Sequence, residues 1–209
     1  MVMKNQKKNI VIIGASGHAK VIIDIIERLN EFNIVGLIDS FKPINSKIFE
    51  YKIIGREEDI PELASKYNFN TGIIAIGDNW TRRKMYYKIK RISPKFDYIS
   101  AIHPKSVIGK NVKIGKGTVI MAGAIVNSDA KIGSFCIINT KASLGHDSNL
   151  KKFASLAPNS TVGGSVTIGT CSAICLSTSV LQSITIGKHS IIGAGSLACL
   201  LYTSDAADD

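Results

Sequence analysis

One aliphatic residue recurs at every sixth position from Ile102 to Ile192, and no other feature restricts the fold as strongly. The sixteen positions are Ile102, Ile108, Ile114, Ile120, Val126, Ile132, Ile138, Leu144, Leu150, Leu156, Val162, Ile168, Ile174, Val180, Ile186 and Ile192. About a quarter of the chain is Ile, Leu or Val. Chance agreement at all sixteen positions is therefore on the order of one in 10⁹.

A period of six residues predicts a coil with three short, flat sides. An α-helix would scatter these positions around its circumference, and a β-sandwich, the ordinary alternative, would need turns at irregular intervals. Three hexads make an 18-residue coil, and successive coils would stack at the strand spacing of about 4.8 Å. Glycine follows the aliphatic residue in eight of the sixteen hexads, which would let the backbone turn at the corners. We therefore predict an all-β domain, a parallel β-helix, over residues 99–198.

The first 98 residues show a different pattern. Three apolar runs, residues 9–14, 34–39 and 72–76, alternate with two amphipathic stretches, 19–29 and 80–92. This order predicts an α/β domain, a small Rossmann-like parallel sheet over residues 1–98, with ligand groups at the carboxyl ends of its strands. The turn GASGHAK is neither a dinucleotide fingerprint nor a P-loop. Its glycines lead into a helix N-terminus that could bind an anion, although a merely tight turn is the alternative.

Composition limits the class of protein and of partner. The net charge of +10 comes from scattered Lys and Arg residues, which indicates small anionic ligands rather than nucleic acid. No apolar run approaches the length of a membrane span, and the apolar stretch near the N-terminus is too short for a signal peptide. We therefore expect a cytoplasmic protein with no membrane partner. The four cysteines show no zinc-ligand or disulfide pattern and are expected to be small buried thiols.

The last residues, 199–209, break the pattern that precedes them. Their sequence, CLLYTSDAADD, resembles the translation of a sequencing-library adapter. We predict that this tail is not native and exclude it from reasoning about the fold. The native protein is then expected to continue past residue 198 with another sequence.

Several motifs together resemble one known family. GASGHAK, the strand-terminal Asp39, AIGDNWTR at 75–82 and AIHP at 101–104, combined with the hexad repeat, are similar to the sialic acid O-acetyltransferases and UDP-4-amino-sugar N-acetyltransferases. The resemblance implies a left-handed β-helix, acetyl-CoA as co-substrate, no metal, and a homotrimer that binds the coenzyme between adjacent prisms. It implies that the N-terminal domain holds the sugar nucleotide through Gly14, Ser16, Gly17, His18, Asp39, Gly77, Asn79 and Arg82. Many relatives have two acids after the second strand, where this chain has Asp39-Ser40, so the identity of the nucleotide stays open.

The segment NTKASLGHD resembles the catalytic turn of the same family. A His beside an acid suits a general base, since the carboxylate can fix the tautomer and support the imidazolium. An arbitrary His-Asp pair would more simply be an exposed polar corner, but the resemblance implies that His146 is the base with Asp147 beside it. Gly164 lies one coil further on, where it would leave room for an acyl group and expose an N–H to an oxyanion, or would be only a corner. Asn139 is a weaker candidate for contacting the acceptor or the acetyl group.

These expectations define one function and its rivals. We predict an acetyltransferase that moves acetyl from acetyl-CoA to an amine of a nucleotide-linked amino sugar. A sialic acid O-acetyltransferase is the alternative within the family, and a non-catalytic β-helix scaffold or binding module is the alternative from another class. A zinc β-helix hydratase would need three converging His ligands, but His103, His146 and His189 do not share hexad phase or neighbouring coils.

Overall fold

The N-terminal domain is a six-stranded sheet with helices packed on it in the computed structural model, which describes residues 7–199. Its strands are β1 Lys8–Ile13, β2 Phe32–Ile38, β3 Lys47–Ile48, β4 Tyr51–Gly55, β5 Thr71–Ile74 and β6 Asp97–Tyr98. Its helices are α1 Gly17–Leu29, α2 Ile60–Tyr67 and α3 Asn79–Ile92, with a short 3₁₀ turn at Glu57–Asp59. The strand order is β3-β4-β2-β1-β5-β6, and neighbours are parallel except for β3 and β4. The predicted parallel sheet therefore carries an antiparallel hairpin at one edge.

Strand β1 occupies the centre of the sheet because it is apolar on both faces. Residues 10–13 of β1 are fully buried, and α1 covers one side of the sheet with Ala19 and four isoleucines. The chain leaves β1 toward β2 on one side, while β5 lies on the other side. The order of the strands thus reverses between β1 and β5, and their carboxyl ends flank a crevice at which α1 and α3 begin.

The second domain is a parallel β-helix, here called the prism, with three faces of two-residue strands. Face 1 contains β7 Ala101–Ile102, β10 Val119–Ile120, β13 Ile137–Ile138, β16 Ser155–Leu156, β19 Ala173–Ile174 and β22 Ile191–Ile192. Face 2 contains β8 Val107–Ile108, β11 Ile125–Val126, β14 Ser143–Leu144, β17 Thr161–Val162, β20 Ser179–Val180 and β23 Leu197–Ala198. Face 3 contains β9 Lys113–Ile114, β12 Lys131–Ile132, β15 Asn149–Leu150, β18 Thr167–Ile168 and β21 Thr185–Ile186.

The register of these strands matches the period of the sequence. Ile120 pairs with Ile138, and Ile138 pairs with Leu156, so each strand lies beside the strand 18 residues further along. The hexad aliphatics point inward and form one core with the small residues of the corners, Ala124, Ala130 and their equivalents. The predicted repeat therefore becomes a packed interior rather than a set of separate hairpins.

The N-terminal domain packs on face 1 and on the corner between faces 3 and 1. The outward residues Ala101, Val119 and Ile137 of face 1 are buried in one cluster with the isoleucines of α1. At the corner, the rings of Phe135 and Phe153 stack in parallel with their centroids 5.1 Å apart. The aromatic residues of α3 and β6 then pack around this pair.

Two further sequence predictions concern the C-terminal tail and membrane-spanning segments. The predicted adapter-derived tail begins at Cys199, which is exposed, and its residues 200–209 lie outside the described residues. Among the helices of residues 7–199, none is long and apolar enough to cross a membrane.

Candidate active site

His146 and Asp147 lie at the corner between faces 2 and 3, directly after β14. The Nδ1 atom of His146 is 2.7 Å from Oδ2 of Asp147, and both side chains are mostly exposed, at 67% and 60%. Asp147 has a φ of 58°, a left-handed conformation that Asp tolerates better than most residues. We assign the proton to Nδ1, because a carboxylate accepts from it, so Nε2 carries the free lone pair.

Gly164 lies against the imidazole ring from the next coil. A Cβ atom at position 164 would be 2.6 Å from Nε2 and 2.7 Å from Cε1 of His146. The predicted stacking of these two residues is therefore present, and only glycine leaves the ring undisturbed. Within the described residues, the Gly164 N–H makes no hydrogen bond.

The crevice of the N-terminal domain offers one uncapped helix N-terminus, that of α1, to a ligand. Gly17 in the first turn of α1 and Gly77 before α3, here called the glycine cradle, have no atom within 4 Å of an added Cβ. Ser16 is the N-cap of α1, but its side chain does not cap the helix, which leaves N–H groups unsatisfied. The N-terminus of α3, in contrast, is capped by the Asp78 carboxylate, which accepts from the N–H of Thr81. The cradle therefore has open space at both glycines, and α1 supplies the partial positive charge that can bind an anionic group.

Gly14 and Asp39 shape the turn that carries this cradle. Gly14 has a φ of 103°, and an added Cβ would lie 3.0 Å from the carbonyl oxygen of Ala75, so a side chain would be both strained and crowded. The Asp39 carboxylate accepts from the backbone N–H of Ala15 at 2.8 Å, and its other oxygen accepts from two N–H groups of its own loop. Asp39 therefore ties the end of β2 to the turn after β1.

A cavity of about 310 Å³ lies between this crevice and the prism. It is lined by Gly77, Asp78, Asn79, Trp80, Ser155, Cys171, Ala173, His189 and Ile191. The hydroxyl of Ser155 accepts a hydrogen bond from the Nδ2 group of Asn79 at 3.0 Å. The edge contact between the rings of Trp80 and His189, 5.5 Å apart, forms one wall. The sequence did not indicate this cavity, because its walls come from segments that are distant in the chain.

His18 faces inward from the first turn of α1. Its Nε2 atom is buried and has no hydrogen-bond partner among the described residues. Burial, and to a smaller extent the charge of Arg82, lowers the pKa of His18 to about 4. The ring is therefore neutral near pH 7, and this nitrogen is not open to a ligand.

Arg82 and Asn79 were predicted to contact the ligand directly, but the structure places both side chains between the two domains. Arg82 is 1% exposed, and each of its five N–H groups donates to a protein oxygen. Asn79 is also buried; its Nδ2 group donates to the prism, and its Oδ1 accepts from Arg82. Both side chains therefore join the two domains, a role that depends on tertiary contacts the motif alone does not show.

Asn139 lies at the corner between faces 1 and 2, whereas His146 lies at the corner between faces 2 and 3. Its Oδ1 atom accepts from the backbone N–H of Thr140. The structure thus does not bring Asn139 to His146 within one chain.

Within residues 7–199, no three His, Cys, Asp or Glu side chains form a cluster that could hold a metal ion.

Comparison with known proteins identifies related sequences for both domains. Residues 9–89 match the PglD N-terminal domain, and residues 105–140 match the bacterial transferase hexapeptide family of six repeats. The chain is 31% identical to perosamine N-acetyltransferase from Caulobacter crescentus, over 91% of this chain and 88% of that one, with a TM-score of 0.85. The chain belongs to the hexapeptide-repeat sugar acetyltransferases. The left-handed β-helix and the family predicted from the sequence are confirmed.

Two further members of this family are similar over different lengths. The acetyltransferase domain of PglB from Neisseria gonorrhoeae is 25% identical, over 91% of this chain and 96% of that one, with a TM-score of 0.73. UDP-N-acetylbacillosamine N-acetyltransferase from Bacillus subtilis is 36% identical over 116 residues, which is 55% of this chain. That match covers 52% of the Bacillus protein, so the chain spans about half of its curated relative. The prediction of an acetyltransferase is confirmed at the level of the family.

Proposed function

We propose that this protein transfers the acetyl group of acetyl-CoA to an amine of a nucleotide-linked amino sugar. One observation carries the proposal: the Nε2 atom of His146 has no hydrogen-bond partner among the described residues, lies beside the backbone of Gly164, and belongs to a ring that Asp147 orients. The solved Caulobacter relative supports the choice of substrates, because it was crystallised in complex with CoA and GDP-perosamine. A cytoplasmic site of action would suit these two soluble metabolites.

The chemistry is a direct transfer between two bound substrates. Nε2 of His146 removes a proton from the sugar amine as the nitrogen attacks the thioester carbonyl carbon. The tetrahedral intermediate then collapses, the C–S bond breaks, and the imidazolium returns the proton to the departing thiolate. Asp147 stays ionised and stabilises the imidazolium through Nδ1. No covalent acetyl-enzyme is needed, so none of the cysteines is assigned a role as nucleophile.

Gly164 contributes to this reaction in two ways. Its lack of a side chain lets the imidazole ring of His146 lie against the backbone of the next coil, where a Cβ atom would be only 2.6 Å from Nε2. Its N–H, which has no hydrogen-bond partner among the described residues, is the donor that we propose for the oxyanion of the tetrahedral intermediate. A donor that is already in place requires no reorganisation when the charge develops.

The position of His146 requires more than one copy of the chain. In a triangular prism the corner between faces 2 and 3 lies opposite face 1, and the N-terminal domain covers face 1. The prism therefore stands between His146 and the glycine cradle of the same chain. We infer that the sugar nucleotide held by one copy reaches His146 of a neighbouring copy.

Face 2 supplies a surface for such a neighbour. Three of its six outward residues, Val107, Ile125 and Leu197, are large aliphatic side chains that are 61%, 42% and 59% exposed, and small hydroxyl residues lie between them at Ser143, Thr161 and Ser179. Face 3 carries Lys, Asn and Thr at the equivalent positions. We propose a homotrimer in which face 2 is covered, with the coenzyme in the groove beside the His146 corner.

A substrate screen tests the function most directly. The protein would be supplied with acetyl-CoA and with UDP-4-amino sugars, GDP-perosamine, sialic acid or CMP-sialic acid, and thiol release and the acetylated product would be measured. We expect turnover of a nucleotide-linked amine and none of the sialic acids. UDP compounds are the first choice, although Ser40 in place of a second acid leaves GDP open. Turnover of a sialic acid alone would replace this proposal by O-acetylation.

The His146→Ala variant tests the base. Removing a general base typically lowers kcat by roughly 10² to 10⁴. The Asp147→Asn variant keeps a hydrogen-bonding group beside Nδ1 but removes the charge, and it should lose less. Full activity of His146→Ala would exclude the assignment.

A further inference from the structure

The side chain of Arg82 saturates its hydrogen-bonding capacity inside the protein. A guanidinium group has five N–H donors, and Arg82 directs each of them to a different acceptor. The acceptors are the carbonyl oxygens of Phe135 at 2.9 Å, Ile76 at 3.0 Å, Gly77 at 2.8 Å and Phe153 at 3.1 Å, and Oδ1 of Asn79 at 2.6 Å. Lysine, with three donors and no planar fork, could not reproduce this set.

The acceptors belong to three separate segments. Ile76 and Gly77 form the turn that carries one half of the glycine cradle, and Asn79 begins α3. Phe135 and Phe153 are successive residues of one prism corner, 18 positions apart. Asn79 extends the contact to the next coil, since its Nδ2 group donates to the carbonyl oxygen of Ser172 at 3.0 Å and to Ser155. Together, Arg82 and Asn79 connect the ligand turn to three stacked coils.

The charge of Arg82 is unusual for a residue with only a structural role. The side chain is buried and, among the described residues, has no carboxylate within ion-pairing distance. Burial lowers the pKa of Arg82 to about 10, partly opposed by the nearby negative charge of Asp78, so the group stays charged near neutral pH. Its direct hydrogen-bond partners are all carbonyl oxygens. Burying a cation is costly, and a well-packed apolar residue would often be no less stable. We therefore infer that the planar arrangement of five N–H donors, rather than a gain in stability, explains the buried arginine at this position.

We propose that Arg82 is a positioning residue for the sugar nucleotide. It holds the turn of Gly77 against the prism corner of Phe135 and Phe153, and so fixes the position of the acceptor sugar relative to the base His146. It does not touch the ligand. Because the Gly77 carbonyl is held toward Arg82, the open side of Gly77 stays turned to the cavity between the domains. The coenzyme groove, which we place on the prism, does not depend on this contact. The inference rests on the proposed function and deepens it.

The test compares Arg82→Lys and Arg82→Met with Arg91→Met. Arg91 is the matched control because it is an exposed arginine of the same helix, in the last turn of α3, away from the cavity. Both Arg82 variants should raise the KM of the sugar nucleotide by roughly tenfold and lower kcat, since small displacements of bound groups are costly. The KM of acetyl-CoA should change by less than about twofold in the same variants. Arg91→Met should resemble the wild type in all three constants.

A second measurement separates positioning from general loss of structure. Hydrogen exchange of the backbone at 77–80 should rise in the Arg82 variants, while the coils of the prism and the oligomeric state remain unchanged. Wild-type constants in both variants, or an equal loss for both substrates, would overturn the inference. If the Arg82 variants do not fold, Asn79→Ala removes the prism contacts but keeps the cation, and the same split in KM is expected. If the wild type itself transfers no acetyl group, the proposed function fails, and unchanged exchange at 77–80 would overturn the inference separately.

Discussion

At the scale of single residues, the proposed catalytic corner, which consists of His146 and Asp147, also depends on Gly164 of the next coil. His146 could act as a base at many exposed positions, because Asp147 is its direct neighbour in the chain. Its ring can take up the observed position, however, only because residue 164 has no Cβ atom. His146 and Gly164, which are 18 positions apart, therefore form one structural unit.

The Gly164→Ala variant tests this unit. Gly164 has a backbone conformation that alanine can adopt, so the fold should be retained and the added Cβ should displace the imidazole. We expect kcat to fall by about 100-fold, as for a misplacement of roughly 1 Å. Gly187→Ala is the control, since its added Cβ would meet only Ser190 Oγ at 3.6 Å. Equal activity of the two variants would show that the observed position of the His146 ring is not needed for transfer.

The buried His18 should make the free energy of unfolding depend on pH. Its pKa is about 4 in the folded protein and about 6.5 when unfolded, so the unfolded chain binds more protons between these values. Its contribution to stability is therefore complete above pH 6.5 and decreases as the pH falls toward 4. The linkage relation gives a loss of about 2 kcal/mol between pH 7 and pH 5. Urea unfolding of the wild type and of His18→Gln should show a steeper loss in the wild type, and parallel curves would contradict the assignment.

At the scale of secondary-structure elements, each two-residue strand has one inward and one outward position. Leu144 is fully buried in the prism, whereas its neighbour Ser143 lies on the outer surface of the same strand. The strands are too short to be stable alone, so the stack of aliphatic residues is what holds each coil in register. His146 lies two residues after Leu144, so the proposed catalytic corner depends on that register.

Leu144→Ala should therefore destabilise the prism, whereas Thr185→Ala, at an exposed outward position of face 3, should not. Replacing a buried leucine by alanine typically costs about 2–5 kcal/mol. A surface substitution such as Thr185→Ala should stay within about 0.5 kcal/mol. The shift of the urea midpoint measures the difference, with the slope of the transition checked for each variant. Similar midpoints for the two variants would mean that the hexad aliphatics do not dominate the stability of the coils.

The elements also show what the sequence could and could not predict. The hexad period gave the coil length, and adding 18 to 146 placed Gly164 correctly, because strictly local spacing determines both. Arg82 and Asn79 were assigned to the ligand instead, because their true partners, the carbonyl oxygens of the prism corner, are 53 to 93 residues away in the chain. The edge hairpin of β3 and β4 was not predicted either, since β3 is too short to show alternation.

At the scale of the whole molecule, the two halves of the proposed reaction lie on opposite sides of the prism. The glycine cradle lies on the side of face 1, and His146 occupies the corner opposite that face. A symmetric ring of three chains would resolve this separation, since each sugar nucleotide could meet the base of the next copy. Each active site would then form at an interface between two copies and would be incomplete in a single chain.

Mixed trimers of two inactive variants test this arrangement. His146→Ala lacks the base, and Gly17→Asp places a carboxylate in the glycine cradle, where it would repel a diphosphate without steric conflict. Each variant alone should be inactive. Random mixing in equal amounts should restore about one quarter of wild-type activity if sites form between copies, because one site of three is intact in three quarters of the trimers. A site within one chain would give no recovery, and a chain carrying both substitutions, mixed with His146→Ala, should stay inactive in either case.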